Sequence, residues 1–189
     1  MVNQNFQAPV SGSATYTAFY IATTLPQAPY QGLIAQIPGI IEAENYDIGP
    51  SAYLDTNGGG DNAYRPVDGV GTEVCNEGGF NISYVAQNEW LKYTSKVNTT
   101  GNYDIKLRVA TPYANKAVHI EVDGVNVSGR FNIPNTGGFQ NWQTATIPNI
   151  PLTQGVHVIT LWFDEADINV NKLEFSLSGN TTTPVADFE

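Results

Sequence analysis

The stretch Glu42-Ala-Glu-Asn-Tyr-Asp47 sets two carboxylates, Glu42 and Glu44, two positions apart behind the apolar pair Ile40-Ile41. On a β-strand, side chains at i and i+2 point the same way, so the two negative charges would stand side by side. Three chemistries fit such a pair: a solvated strand edge, half of a catalytic dyad, or oxygen ligands for a hard cation. A second acidic group, Glu165 and Asp167 in Asp164-Glu-Ala-Asp-Ile-Asn169, reads as an exposed loop. Hydrolysis of a glycosidic bond needs carboxyl groups facing each other across a cleft, about 5 to 9.5 Å apart, rather than neighbours along one strand. His119 and His157 lie in alternating stretches with no nucleophile motif beside them. The chain has no Gly-x-Ser-x-Gly, His-Glu-x-x-His or phosphate-loop pattern. Catalysis is therefore a minor expectation.

The elements that must position these residues are strands. Apolar and polar residues alternate in Tyr103-Asp-Ile-Lys-Leu-Arg-Val109, which sets Tyr103, Ile105, Leu107 and Val109 on one face. Val118 to Val122 repeats the pattern and runs into Asp123-Gly124, the dipeptide that favours a two-residue type I′ hairpin. Further strands are expected over 40–46, 82–86, 90–94, 144–147, 156–163 and 168–177, and no long stretch carries the 3.6-residue period of an amphipathic helix. About eight or more antiparallel strands separated by Gly, Asn and Pro turns predict an all-β fold, a β-sandwich or jelly roll. Trp90 and Trp142 are expected in its core, and Cys75 as a small buried apolar residue.

Composition narrows the function. Of 189 residues, 41% are hydrophobic, enough for one well-buried domain. A net charge of -10 with only 8 basic residues argues against nucleic acid, whose binding depends on Lys and Arg neutralising phosphates, and disfavours strongly anionic polymers. A single cysteine permits no intrachain disulfide, so the fold relies on its core or on a metal. No apolar run reaches membrane-spanning length, and the first residues lack the basic-then-apolar layout of a signal peptide, so an export signal would lie outside this chain. Residues 1–36 and the Ser/Thr/Pro-containing 179–189 read as linkers or remnants of neighbouring domains, with one strand-like run at 16–22. The module proper is expected over 37–178.

Four stretches in order, Ile37-Pro-Gly-Ile-Ile-Glu-Ala-Glu-Asn-Tyr-Asp47, the segment from Tyr64 to Thr94, Asn135-Thr-Gly-Gly-Phe-Gln-Asn-Trp-Gln-Thr144 and Ile168-Asn-Val-Asn-Lys-Leu-Glu-Phe175, resemble the family 6 carbohydrate-binding modules. The resemblance implies a jelly roll with a structural calcium ion and a sugar site in the loops at one end. It also implies a monomeric, non-catalytic module, joined covalently to a secreted bacterial glycoside hydrolase and binding a polysaccharide or oligosaccharide. By the family pattern, Tyr84 and Phe139 are the aromatic walls, Asn169 hydrogen-bonds the sugar between them, and Glu73 accepts from its hydroxyls. Many relatives carry tryptophan where Phe139 stands; phenylalanine offers a smaller stacking face and no indole N–H. Asn169 and Asn171 share parity with Leu173 and Phe175, which points them to the core side and requires partners for them. The same resemblance assigns Glu42, Glu44, the Arg65 carbonyl and Asn171 to the calcium ion. Net charge favours a neutral glycan, an agarose-type galactan, xylan or β-glucan, with a lean to agarose from the loop around residues 64–80.

Overall fold

A computed structural model describes residues 26–59 and 64–179, and in it the alternating stretches pair into two sheets packed face to face. In chain order the strands are β1 (Ala35–Ile37), β2 (Gly39–Glu42), β3 (Tyr53–Leu54), β4 (Thr72–Val74), β5 (Phe80–Ile82), β6 (Trp90–Val97) and β7 (Gly101–Ala110). They continue with β8 (Lys116–Val122), β9 (Val125–Asn126), β10 (Phe131–Ile133), β11 (Gln143–Leu152), β12 (Gly155–Phe163) and β13 (Asn169–Leu177). The first sheet runs β1-β6-β12-β8-β10, with β3 also on β6 and β9 on β8. The second runs β11-β7-β13-β5-β4, with β2 also on β13. Among the described residues β1–β6 is parallel and the other ladders are antiparallel. This is the expected all-β sandwich of jelly-roll type.

The core follows the period-two pattern. Tyr103, Ile105, Leu107 and Val109 of β7 are fully buried and meet Val118, Ile120, Ile159, Leu161 and Phe163 of the facing sheet. Each such aliphatic or aromatic side chain contributes about 1.5–3 kcal/mol by leaving water. The Asp123-Gly124 turn forms as expected, with φ of 51° and 79°, the left-handed pair that matches the twist of a hairpin.

Four expectations are corrected. The strand expected over 40–46 ends at Glu42, and Ala43–Asn45 form a 3-10 turn, so Glu42 and Glu44 do not share a strand face. The strand expected over 82–86 stops at Ile82, because Tyr84 has φ of 56°, a left-handed conformation that a ladder cannot accommodate. The linker expected over 1–36 does not extend through 26–36: Ala28 bridges Ile48, and β1 pairs with β6 from Ala35 onward. Residues 1–25, with the strand-like run at 16–22, and 180–189 lie outside the described residues. Finally, Trp90 and Trp142 are only half-buried. Trp90 lies 6.0 Å from Trp162 with Lys92 Nζ 4.6 Å above its ring, and Trp142 Nε1 donates to Asn76 Oδ1 at 2.9 Å. A large ring with a polar edge is placed here where that edge finds a partner. Cys75 is buried, as expected.

Replacing Leu161 with alanine removes a fully buried side chain from the middle of β12. The expected cost is about 2–5 kcal/mol, read from the midpoint of urea unfolding.

Candidate functional site

The register of the second sheet sets the site. Thr72, Ile82, Val170 and Val109 stand opposite one another across β4, β5, β13 and β7, and all are buried. The adjacent rows point to the other face of the sheet, where Glu73 stands opposite Asn81. Asn169 stands opposite Ala110, one position from the core-facing Val170. A bulge at Asn171 separates Val170 from Lys172 in the β13–β7 ladder, so the parity expected for Asn169 and Asn171 with Leu173 does not hold. Ile168, Val170, Leu173 and Phe175 fill the core instead, and both asparagines are buried away from it.

The loop 135–142 folds over Asn169 at this end of the sheet. Gln140 holds it down: its side-chain oxygen accepts from Asn76 N at 2.9 Å, and its carbonyl accepts from Asn76 Nδ2 at 3.0 Å. Gln140 Nε2 donates to Glu73 Oε1 at 2.8 Å and Asn81 Oδ1 at 3.0 Å. Glu73 Oε1 also accepts from Asn169 Nδ2 at 2.5 Å and Asn81 Nδ2 at 3.3 Å. Asn169 Nδ2 makes a second bond, to the Phe139 carbonyl at 2.8 Å. Hydrogen bonds to a carboxylate are roughly twice as strong as neutral ones, which makes Glu73 the junction of the loop, β4, β5 and β13.

Tyr84 is delivered by a different device. Its left-handed backbone turns the side chain outward, leaving it 56% exposed. Two glycines make room for it. A Cβ on Gly71 would come within 2.4 Å of the Ser83 carbonyl oxygen and 3.0 Å of Tyr84 Cβ, and one on Gly59 within 2.6 Å of Tyr84 Cβ. Asn57 Nδ2 donates to the Tyr84 carbonyl at 2.9 Å. Glu89 is buried and takes Thr56 N–H at 2.6 Å and Ala86 N–H at 2.8 Å, pinning the chain on either side of Tyr84.

The four residues expected at the sugar site come together. Glu73, Tyr84, Phe139 and Asn169 line one cavity of about 190 Å³, with Ser83 and Asp167. Phe139 is 40% exposed, so both aromatic side chains offer apolar surface to a ligand. Asp167 is exposed, as expected of this acidic loop, but it also lines the cavity, and its Oδ2 pairs with Lys116 Nζ at 3.2 Å. Sequence reasoning also missed Gln140 and Asn81, which act by positioning; Gln140 lies inside the Gly-Gly-Phe-Gln-Asn-Trp motif, one residue past the aromatic.

Of the residues expected around calcium, Glu42 ends β2 and Glu44 lies on the 3-10 turn that follows it. Glu44, on the 3-10 turn, is 6% exposed, and its Oε2 is buried without a hydrogen bond. Burial raises its carboxyl to about 7; the neighbouring Glu42 charge adds to this, and the backbone amides of Glu44 and Phe80 oppose it. Asn171 is buried on β13, its Nδ2 donating to Glu77 Oε2 at 3.2 Å. Glu77 also binds Arg108 through both oxygens; that bonding holds its carboxyl below the usual range, against desolvation. The Arg65 side chain is engaged elsewhere: Nη2 donates to the Asp47 carbonyl at 3.1 Å, and the guanidinium lies 3.5 Å over Tyr46. Its carbonyl accepts Asp68 N–H at 3.2 Å, closing a turn. Among the described residues no three His, Cys, Asp or Glu side chains cluster as metal ligands.

A jelly-roll sandwich with an aromatic-lined pocket floored by amide and carboxylate groups has the architecture of a carbohydrate-binding module. The family described as carbohydrate binding module (family 6) matches residues 62–177, and the chain belongs to that family. It is a non-catalytic carbohydrate-binding domain. Similar solved structures include the C-terminal family 6 module of a laminarinase from Zobellia galactanivorans, 26% identical with a TM-score of 0.60, covering 73% of this chain and 98% of that one. Another is a β-1,3-glucan-binding module from Bacillus halodurans, 26% identical with a TM-score of 0.59, covering 75% and 98%. A Clostridium stercorarium module in complex with cellobiose shares the fold, at 22% identity and a TM-score of 0.62 over 78% and 99% of the two chains. Among curated proteins the chain is 30% identical over 73 residues to beta-agarase AgaA of Microbulbifer thermotolerans, which is 39% of this chain and 17% of the agarase. It is 27% identical over 101 residues to the clotting factor G alpha subunit of Tachypleus tridentatus, 52% of this chain and 15% of that subunit. The chain thus spans under a fifth of either curated relative.

Gly71→Ala tests how Tyr84 is placed. A Cβ meeting backbone oxygen at 2.4 Å forces the 83–84 segment to shift. The variant is expected to lose about 1–3 kcal/mol of stability and to change the chemical shifts of the Tyr84 ring in NMR spectra.

Proposed function

We propose that this domain holds a covalently attached glycoside hydrolase on a neutral polysaccharide by clamping a sugar between Tyr84 and Phe139. The observation that carries this reading is the convergence of Glu73, Tyr84, Phe139 and Asn169, drawn from four separate stretches of chain, on one small cavity. The polar inventory of that cavity supports neutrality. Asn169 spends both N–H groups on Glu73 and the Phe139 carbonyl, and Glu73 Oε1 is filled by amide donors. Asn169 Oδ1, Glu73 Oε2 and the Asp167 carboxylate are therefore left as acceptors, beside the Ser83 and Tyr84 hydroxyls, which can donate or accept. Sugar hydroxyls donate to such groups; a uronate carboxylate or sulfate ester would bring acceptor against acceptor and negative against negative. The net charge of -10 acts in the same direction at longer range. Ser83 Oγ, buried beside the cavity, makes no hydrogen bond.

Within neutral glycans, agarose-type galactan is the favoured ligand, ahead of xylan and β-glucan, a choice supported by the likeness to a beta-agarase. Tethering raises the enzyme's effective concentration at the polymer, so modest affinity for each sugar suffices. The full-length protein is read as secreted and bacterial, and the domain as monomeric.

Calcium is the proposed structural ion. Glu42, Glu44, the Asn171 side-chain carbonyl and the Arg65 main-chain carbonyl form an all-oxygen donor set, the kind calcium prefers. The buried, unpartnered Glu44 Oε2 fits: an ionised carboxylate there is costly until a cation meets it. When bound, the ion supplies positive charge that neutralises Glu44. In this chain Asn171 is oriented by Glu77, and Glu44 is carried on a turn between β5 and β13.

Two experiments check these readings. In affinity gels containing agarose, xylan or β-glucan, Tyr84→Ala is expected to lose the retardation shown by the parent at unchanged melting temperature; parental retardation of the variant would remove Tyr84 from the site. Chelator is expected to lower the parent's melting temperature by several degrees, and Glu44→Gln to make melting indifferent to chelator. Parental melting that ignores both chelator and added calcium would eliminate the ion.

A further inference from the structure

We propose that Tyr113 is the platform of a second sugar subsite next to the Tyr84–Phe139 cavity, so that the domain binds oligosaccharides of two or more units in preference to single sugars. The proposal rests on the reading of that cavity as the sugar site and extends it to a residue no sequence motif singled out.

The cavity, at about 190 Å³, is smaller than the roughly 300–1,000 Å³ of pockets that enclose larger ligands. It holds about one pyranose ring, and a polymer entering it must continue over the surrounding surface. Beyond Phe139 that surface is aromatic. The Tyr113 and Phe139 centroids lie 6.1 Å apart with their planes at 75°, so the two rings form a corner, of which Phe139 lines the cavity and Tyr113 does not. Tyr113 is 50% exposed. Lys116 Nζ lies 5.2 Å from the centre of the Tyr113 ring, and is itself held at 3.2 Å by Asp167 Oδ2 of the cavity lining. The cation thus fixes the ring's attitude from one side and leaves ring surface open to solvent.

The platform is also rigid relative to the cavity. Thr111, at the start of the loop that carries Tyr113, accepts Tyr113 N–H at 3.3 Å and donates to the Asp167 carbonyl at 2.7 Å, both through Oγ1. Thr111 N–H donates to Thr136 Oγ1 at 2.8 Å, and Thr136 N–H donates to the Thr111 carbonyl at 2.8 Å. Thr136 belongs to the loop that carries Phe139. The Tyr113 loop, the Phe139 loop and the Asp167 loop are therefore locked together before any ligand arrives. A ring held this way stacks on a sugar with little further loss of freedom, and the apolar C–H face of a pyranose is the natural complement of a half-exposed tyrosine.

The test is isothermal titration of the parent, Tyr113→Ala and Tyr113→Leu with cello-, laminari-, xylo- and agaro-tetrasaccharides and with their monosaccharides. The parent is expected to bind its preferred tetrasaccharide more tightly than the matching monosaccharide. Tyr113→Ala is expected to weaken the tetrasaccharide about tenfold and leave the monosaccharide unchanged. Tyr113→Leu, which keeps apolar contact with Phe139 but has no ring face, is expected to behave like alanine and guards against a folding defect. Parental affinity of both variants for the tetrasaccharide would overturn the subsite while leaving the cavity assignment intact. An equal loss on monosaccharide and tetrasaccharide would also overturn it, because Tyr113 would then act on the cavity itself. A parent that bound none of these sugars would overturn both readings.

Discussion

Glu73 Oε1 accepts amide donors from Asn81 on β5, Gln140 on the loop 135–142 and Asn169 on β13, and the proposed binding site depends on that convergence. Without it the loop that carries Phe139 would have no charge-assisted anchor on the sheet, and the Asn169 amide would lose one of its two acceptors. Hydrogen bonds of this kind are expensive to leave half made, so the junction is a cooperative unit rather than a set of optional contacts. It also decides what the site can read. Because both Asn169 N–H groups are consumed internally, that residue has only its side-chain oxygen left to offer a ligand.

The second constraint is steric. Tyr84 stands in a conformation that tyrosine disfavours, held there by the close approach of Gly59 and Gly71 and by the buried carboxylate of Glu89. Such conformations cost of order 1–3 kcal/mol and persist only where the surroundings over-determine them. The sandwich supplies that surplus: two sheets with a continuous apolar interior can carry strain at one end without unfolding. The return is an aromatic face already presented to solvent, which reduces the ordering cost on binding.

Much of the fold was legible because sheet burial follows a local rule. Tyr103, Ile105, Leu107 and Val109 alternate with Asp104, Lys106 and Arg108, and any sandwich must turn the first set inward. The same reasoning failed where a single residue breaks the period. The 3-10 turn at Ala43–Asn45 takes Glu44 off the strand that Glu42 ends, and the bulge at Asn171 shifts the faces of β13 by one. Neither carries a distinctive local signal, since turn and bulge are chosen by what lies opposite in the neighbouring strand. Trp90 and Trp142 were misplaced for a related reason: a large aromatic is expected inside, but an indole N–H or ring face that finds Asn76 or Lys92 is satisfied at the surface.

By itself the sequence determined the all-β class, the main core strands, the hairpin at Asp123-Gly124, the acidic surface, and, through resemblance of four short stretches, the family and the identity of Tyr84, Phe139, Asn169 and Glu73. Only the tertiary structure decided that these four line one cavity, that Asp167 joins them, that Gln140 and Asn81 hold them, and that Tyr113 stands beside Phe139. The physical reason is that burial along a strand is dictated by neighbours two residues away. The site instead depends on hydrogen bonds and ring contacts between residues dozens of positions apart, whose meeting depends on how β4, β5, β13 and three loops are brought to one end of the sandwich.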